Sequence, residues 1–240
     1  MERKVALVTG ASGNGIGRSI ALTLAREGFA VVVNYLNNQL NANEVVRSII
    51  DHGGNAIAIR ANVFVKEDCV KLVTQIINHF GTIDICILNP GANWNAEPLM
   101  NLKSDLALQD VVQEISPLYY LLPLVLKDMG LRKWGRIIGM ASNMDIPSPS
   151  YAYNTAKLSR INALKLAVPH AWQIGVTVNI IAPGPVNGFS NLSEAENHCY
   201  HSGEWTERKQ VTPQDIAEGV AFLCSNSARY ITGCVLPYNF

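Results

Sequence analysis

Tyr153-Asn154-Thr155-Ala156-Lys157 places a phenol and an ammonium four residues apart. On a helix, positions i and i+4 share a face, so the two groups converge on one site. A free tyrosine titrates at about 10 and is poorly matched to neutral pH as an acid or base. A neighbouring ammonium favours the phenolate and lowers that value. Tyr153 would then give a proton to a carbonyl oxygen or take one from an alcohol. The spacing alone occurs often by chance. Tyr151 is a rival phenol, but no lysine follows it at the same interval.

A second chemical pattern stands near the start. Thr9-Gly10-Ala11-Ser12-Gly13-Asn14-Gly15-Ile16-Gly17 follows a β-branched run and leads at once into a helical pattern. Glycines let the backbone turn tightly and approach a pyrophosphate closely, and a helix N-terminus offers free N–H groups and positive dipole to the phosphates. A glycine cluster alone is weak evidence; one set between a first strand and a first helix is much stronger. An ordinary glycine-rich turn is the alternative.

Positioning these groups requires strands and helices in alternation. Val5–Thr9, Ala30–Asn34, Ala56–Arg60, Ile83–Leu88, Arg136–Ala141, Val176–Ala182 and Cys234–Tyr238 read as strands. Most are apolar on both faces, as in a parallel sheet covered by helices on each side. Ile16, Ile20 and Leu24 share one helix face, which ends near Gly28. Val45, Val46, Ile49 and Ile50 form a second stripe before Gly53-Gly54, and Val70, Val73, Ile76 and Ile77 a third before Gly81. Longer helices are predicted over about 104–129 and 153–173. The last helix starts with Thr212 as N-cap, Pro213 at its first position and Asp215 in its first turn. This alternation predicts an α/β fold, a doubly wound and mostly parallel seven-stranded sheet with helices on both faces. At 240 residues the chain is expected to form one dinucleotide-binding and catalytic domain over 1–240.

Composition narrows the function further. Hydrophobic residues make up 48% and charged residues 16% of the chain, where a disordered one would be poorer in the first and richer in the second. Nineteen Lys+Arg balance nineteen Asp+Glu, so no basic excess points to nucleic acid or to an anionic membrane surface. No apolar run reaches the roughly eighteen residues that a membrane span requires. Met1-Glu2-Arg3-Lys4 goes directly into a strand, so no signal peptide is expected. Five scattered cysteines, an odd count with no CxxC pair, argue against a disulfide framework or a zinc site. No metal is expected, and reduced thiols point to the cytoplasm.

With these motifs in this order, the sequence resembles the short-chain dehydrogenase/reductase family from about residue 4 to 236. The family's loop is usually T-G-x-x-x-G-x-G. Here four residues separate Gly10 from Gly15, so the loop is one residue longer, and the resemblance assigns Gly10, Asn14, Gly15, Ile16 and Gly17 to the cofactor. At the end of the second strand, an acid bonds the 2′-hydroxyl of NAD and a base favours the 2′-phosphate of NADP. Asn34-Tyr35-Leu36-Asn37-Asn38 carries neither, and Asp at the position of Tyr35 would be the family's usual NAD signal. Its absence tips the expectation toward NADP, with NAD the alternative. Asn14 stands where many NADP-users carry Arg or Lys, and the nearby Arg18 reads equally as a solvated helix residue.

Asn62-Val63 falls where the family usually has Asp-Val against the adenine. Leu88-Asn89-Pro90-Gly91 resembles N-N-A-G: Asn89 and Gly91 match, while Pro90 removes a backbone donor. The same residues would also read as a plain turn. Asn179 through Val186 resembles N-x-x-x-P-G, so Pro183, Gly184 and Val186 would meet the nicotinamide carboxamide, with Gly188 replacing a usual threonine. Ser142 ends the fifth strand at the family's serine position, where its hydroxyl would hold the substrate oxygen. Alone, that serine reads as a cap or turn residue. Pro147 and Pro149 would stiffen the shortened loop that follows. The resemblance makes Ser142, Tyr153 and Lys157 the catalytic set, with Tyr153 and Lys157 also touching the cofactor. Glu114 takes the place of an asparagine that carries a proton-relay water in many members. It would relay protons itself, pair with Lys157, or be only a helix residue.

Residues 187–211 break the alternation and read as a substrate lid, or else as a surface excursion with a short helix. Phe189, Tyr200, Trp205 and Trp94 would line an apolar pocket or be ordinary packing. The resemblance implies an NAD(P)-dependent oxidoreductase acting on a small-molecule carbonyl or alcohol, nearest to 3-oxoacyl-thioester reductase-like members. It also implies a homotetramer or dimer built through the long helices. The chain ends without the family's acidic-glycine tail. The rival reading, motivated by Glu114, Asn62, Pro90 and Gly188, is a dinucleotide-binding sensor or scaffold without efficient turnover. An extended-branch epimerase or dehydratase is disfavoured because no second substrate domain follows.

Overall fold

Seven short aliphatic runs become strands because each can be buried on both faces at once. The computed structural model describes residues 3–91, 98–143, 150–201 and 210–238. It places strands at β1 (Val5–Val8), β2 (Ala30–Tyr35), β3 (Asn55–Arg60), β4 (Ile85–Leu88), β5 (Gly135–Met140), β6 (Val176–Pro183) and β7 (Val235–Tyr238). Helices lie at α1 (Ile16–Arg26), α2 (Gln39–Asp51), α3 (Lys66–Phe80), α4 (Ser104–Arg132), α5 (Tyr151–Trp172), α6 (Leu192–Tyr200) and α7 (Pro213–Cys224). The expected elements are all present. The predicted N-cap of α7 is a full capping box: Thr212 N–H donates to Asp215 Oδ2 at 2.8 Å, and Asp215 N–H returns to Thr212 Oγ1 at 3.4 Å.

The strands run in the order β3-β2-β1-β4-β5-β6-β7, and every pairing is parallel. Two hydrophobic layers sandwich this sheet. On one face α1, α2, α6 and α7 bury Ile20, Leu24, Val45, Ile49 and Val220. On the other, α3, α4 and α5 bury Leu72, Ile76, Leu121, Val125 and Leu164. The strand order reverses between β1 and β4. In open parallel sheets, that reversal opens a crevice at the carboxyl ends of the strands, where ligands bind. The loops after β1, β4, β5 and β6 therefore meet at one edge. They carry the glycine cluster, Asn89, Ser142 and Pro183-Gly184.

Within the irregular stretch, Leu192–Tyr200 form α6. Residues of α6 bury Ala195 and Cys199 on the α1 face, Phe189 stacks on His198 at 4.6 Å, and Tyr200 stacks on His52 of α2 at 4.0 Å. Phe189 is thus a packing residue, while Tyr200 lines a small pocket with Arg3, Arg26 and His52 that includes none of Ser142, Tyr153 and Lys157. Trp94 and Trp205, like Pro147 and Pro149, lie outside the described residues.

Candidate active site

The glycine loop is shaped by its neighbours as much as by its own sequence. Gly10 leaves β1 with φ +62°, a left-handed conformation that glycine adopts without penalty, and its N–H donates to Asn34 Oδ1 at 3.2 Å. Asn34 Nδ2 donates in turn to the carbonyls of Ile59 and Ala61, so this side chain joins the ends of β1, β2 and β3. Asn89 secures the loop from β4. Its N–H donates to Thr9 Oγ1 at 3.0 Å, and its Nδ2 to the carbonyls of Thr9 at 3.1 Å and Gly10 at 3.3 Å. A Cβ at Gly17 would stand 2.5 Å from the Gly10 carbonyl oxygen, so the first turn of α1 lies directly on the loop. Gly15 is the N-cap of α1 and offers no side chain to the helix N–H groups, while a Cβ on Gly13 or Gly15 would meet nothing within 4 Å. Open space over an uncapped helix N-terminus, beginning with Ile16, fits a pyrophosphate.

The other expected cofactor residues surround this loop with different roles. The carbonyl of Asn14 accepts the Phe189 N–H at 2.8 Å, so the chain beyond Val186 rests on the loop. Gly188 lies against the same carbonyl. Asn62 accepts the Phe64 N–H on Oδ1 at 3.0 Å and gives its own N–H to Asp68 Oδ2 at 3.1 Å, which turns the chain into α3; Val63 is buried. Tyr35 directs its ring into the core, leaving Leu36 and Asn37 exposed at the end of β2. Pro183 accepts the Asn143 N–H at 2.9 Å, Gly184 donates to the Tyr238 carbonyl at 2.8 Å, and Val186 packs on the core.

Two arginines differ from the sequence reading. Arg18 is buried rather than solvated. Its Nη2 reaches the Ser12 carbonyl at 3.5 Å, while Nε and Nη1 have no hydrogen-bond partner among the described residues. Arg60 drew no notice in the sequence, yet it pairs in register with Tyr35, and its Nε donates to the Leu36 carbonyl at 3.0 Å. An exposed guanidinium therefore stands at the end of β2. The signal for it was available only in the strand register.

The acid/base group stands on the first turns of α5. Ser150 caps α5 by accepting the Tyr153 N–H on Oγ at 3.2 Å, and the Ser142 hydroxyl lies near enough to the Tyr153 phenol to act on its titration. Lys157 follows one turn later, with Nζ 5.3 Å from the Tyr153 ring centroid. The structure thus brings Ser142, Tyr153 and Lys157 together. Lys157 Nζ also donates to Glu114 Oε1 at 3.0 Å, and the same oxygen accepts Arg160 Nη1 at 3.0 Å. Of the three readings of Glu114, pairing with Lys157 is the one observed. Arg160 escaped the sequence reading, although its place three residues after Lys157 puts it on the same helical stripe.

Burial, with the Glu114 carboxylate adding to it, reverses one electrostatic expectation. The Tyr153 phenol lies above its ordinary value, not below it: burial raises it, the Ser142 hydrogen bond lowers it, and the Glu114 carboxylate raises it. The Lys157 ammonium is neutralised by Glu114, so little of its field is left for the phenol. Lys157 itself is pushed down by burial, against the upward pull of Glu114, with Arg160 adding to the fall.

Comparison with known proteins decides what this arrangement belongs to. The family model described as "Enoyl-(Acyl carrier protein) reductase" matches residues 10–239. The 3-oxoacyl-(acyl-carrier-protein) reductase FabG of Staphylococcus epidermidis is 33% identical over 240 residues, covering 98% of this chain and 97% of that protein. The chain belongs to the short-chain dehydrogenase/reductase family. The tetrahydroxynaphthalene reductase of Pyricularia oryzae is 32% identical over 266 residues, covering 98% of this chain and 88% of its own. Among solved structures, acetoin dehydrogenase YohF of Salmonella typhimurium superposes with a TM-score of 0.83 at 23% identity, over 98% of this chain and 94% of that one, which bears on the fold. As a short-chain dehydrogenase/reductase, the protein is an NAD(P)-dependent oxidoreductase that passes hydride between nicotinamide and a carbonyl or alcohol carbon. These matches do not favour the sensor reading. None of the described helices is long and apolar enough to cross a membrane.

Proposed function

We propose that the protein reduces the keto group of a 3-oxoacyl thioester or a related small ketone, with NADPH as hydride donor, Tyr153 as proton donor, and Ser142 and Lys157 in support. The observation that carries this reading is the Tyr153 phenol with Lys157 one helical turn on, its Nζ 5.3 Å from the ring centroid, and the Ser142 hydroxyl close by at the carboxyl edge of the sheet. NADP(H), when bound, supplies or takes up the hydride at nicotinamide C4. Everything else falls to the chain. Ser142 holds the substrate oxygen by a hydrogen bond that strengthens as negative charge grows there. Tyr153, whose phenol is held protonated at neutral pH by its buried setting, gives its proton to that oxygen. A phenol with a raised value suits reduction, whereas alcohol oxidation needs its phenolate and gains with rising pH. Lys157 would hold the nicotinamide ribose. Gly10, Gly15, Ile16 and Gly17 would hold the pyrophosphate, and Asn14, Asn62, Val63, Asn89, Gly91, Pro183, Gly184 and Val186 complete the cofactor's surroundings.

NADP over NAD is supported by the lack of an acid at the end of β2 and by the exposed guanidinium of Arg60 beside Leu36. Relatives named as carrier-protein-linked reductases support the thioester class. One catalytic unit over 1–240 is supported by the continuous sheet from β3 to β7. Self-association is supported by a groove of about 500 Å³ between α4 and α5, where Tyr119 and Leu166 are 68% and 75% exposed; it includes neither Ser142, Tyr153 nor Lys157. Five free cysteines, four of them buried, support a cytoplasmic setting.

The test is a panel of 3-oxoacyl thioesters, ketones and alcohols assayed with NADPH and NADP by absorbance. Tyr153→Phe is expected to abolish turnover while calorimetry shows NADPH still bound. Turnover unchanged in Tyr153→Phe would remove the acid/base assignment. NAD binding more tightly than NADP would remove the cofactor choice.

A further inference from the structure

Glu114 and Arg160 are buried with Lys157 at the centre of the site, yet the reaction as described uses neither. Their side chains are 0% exposed, and that of Lys157 is 8% exposed. Arg160 is tied to the sheet first. Its Nη2 donates to the Leu88 carbonyl at 2.5 Å and its Nη1 to the Pro90 carbonyl at 2.8 Å, both at the end of β4. From that anchor, Nη1 also reaches the Glu114 carbonyl at 3.3 Å and Glu114 Oε1 at 3.0 Å. Lys157 Nζ meets the same Oε1 at 3.0 Å. The other carboxylate oxygen lies against the backbone of Gly91. The carboxylate is therefore held on three sides and has no room to swing away from the ammonium.

We infer that Glu114, clamped by Arg160, is a positioning residue that holds the Lys157 ammonium in the site and acts on the Tyr153 phenol by its own charge. The inference rests on the reading of Tyr153 and Lys157 proposed above. A neutral side chain of the same size would leave two cations, Lys157 and Arg160, facing each other in apolar surroundings. One of them would then give up its proton or move. Arg160 is pinned to two carbonyls and keeps its proton more tightly, so Lys157 is the group whose titration falls. Among the described residues, the titratable groups facing Lys157 are Glu114 from α4 and Tyr153 and Arg160 from α5, while Cys86 of β4 faces Arg160.

The sign of the effect is the same for both members of the acid/base pair. Burial lowers Lys157 and Glu114 raises it. Burial raises Tyr153, and Glu114 raises it again. Removing the carboxylate lowers both groups, whichever one sets the alkaline limb of reduction. A charge this close, in a buried site, shifts a neighbour by about one to three pH units.

The experiment is a titration of the Tyr153 phenol by ultraviolet difference absorbance without dinucleotide, each protein read against its own Tyr153→Phe counterpart. Glu114→Gln is expected to move the tyrosinate transition to lower pH by about one unit or more. The alkaline limb of ketone reduction is expected to move in the same direction. Glu114→Asp, with the charge drawn back by one methylene, is expected to move both by less. Should Glu114→Gln not fold, Glu114→Asp carries the test alone. An unmoved tyrosinate transition in the folded variant overturns the role of Glu114, because a purely structural residue would change stability and leave the titration in place. Turnover surviving in Tyr153→Phe overturns the acid/base reading instead, so the two failures are told apart.

Discussion

Gly91→Ala tests the geometry of the buried charges without touching any of them. A Cβ built on Gly91 stands 2.6 Å from Glu114 Oε1 and 2.7 Å from its carboxyl carbon, and closer still to Oε2. Ordinary contact begins at 3.4 Å, so the carboxylate must withdraw by roughly 1 Å. A free glutamate would do so at little cost. This one is held at 3.0 Å by both Lys157 and Arg160, and a bond stretched by that much passes out of hydrogen-bonding range. If the loop moves instead, it loosens the Pro90 carbonyl from Arg160. Breaking one member of a buried charge pair costs about 3–5 kcal/mol. With partial relaxation we expect a loss of about 3 kcal/mol, or a fall in Tm of about 6–12 °C for a chain of this size. The assay is thermal and denaturant unfolding without dinucleotide. Gly13→Ala serves as the control, since its Cβ would meet nothing within 4 Å, and it should stay within about 1 kcal/mol of the parent. If Gly91→Ala proves as stable as Gly13→Ala, the three-sided clamp on Glu114 is wrong.

Two further outcomes follow from burial and capping. Native alkylation near pH 8, counted by mass spectrometry, should modify no thiol other than Cys234, because burial pushes Cys69, Cys86 and Cys224 up to about 12 and raises Cys199 as well; rapid loss of a second thiol contradicts this. Thr212→Val removes the hydroxyl that caps α7 and should lower stability by about 1 kcal/mol in denaturant unfolding, while Thr212→Ser, which keeps the hydroxyl, should change it little.

Local pattern was enough to find the scaffold. The aliphatic runs that alternate with amphipathic stripes became the parallel sheet and its two helical layers, because burial on both faces and burial on one face leave different periods in the sequence. The start of α7 was legible to the residue, since Thr212, Pro213 and Asp215 act on a helix end within one turn. Tyr153 and Lys157 were legible as a pair for the same reason.

What the sequence left open depended on partners far along the chain. Residue 114 could be read three ways until α4 and α5 were laid side by side, which put its carboxylate on Lys157, 43 positions away. Burial, with that carboxylate adding to it, set the direction of the Tyr153 shift against the local expectation. Asn89, read as a cofactor residue or else a plain turn, also braces the glycine loop 79 and 80 positions earlier. Arg60 reached the end of β2 only through the register of β2 on β3, and Phe189 and Tyr200 stacked on His198 and His52. The sequence by itself determined which segments would bury and which groups would carry the chemistry. The charge state and surroundings of those groups were decided by tertiary structure alone, because Coulomb and desolvation effects act through space and take no account of distance along the chain.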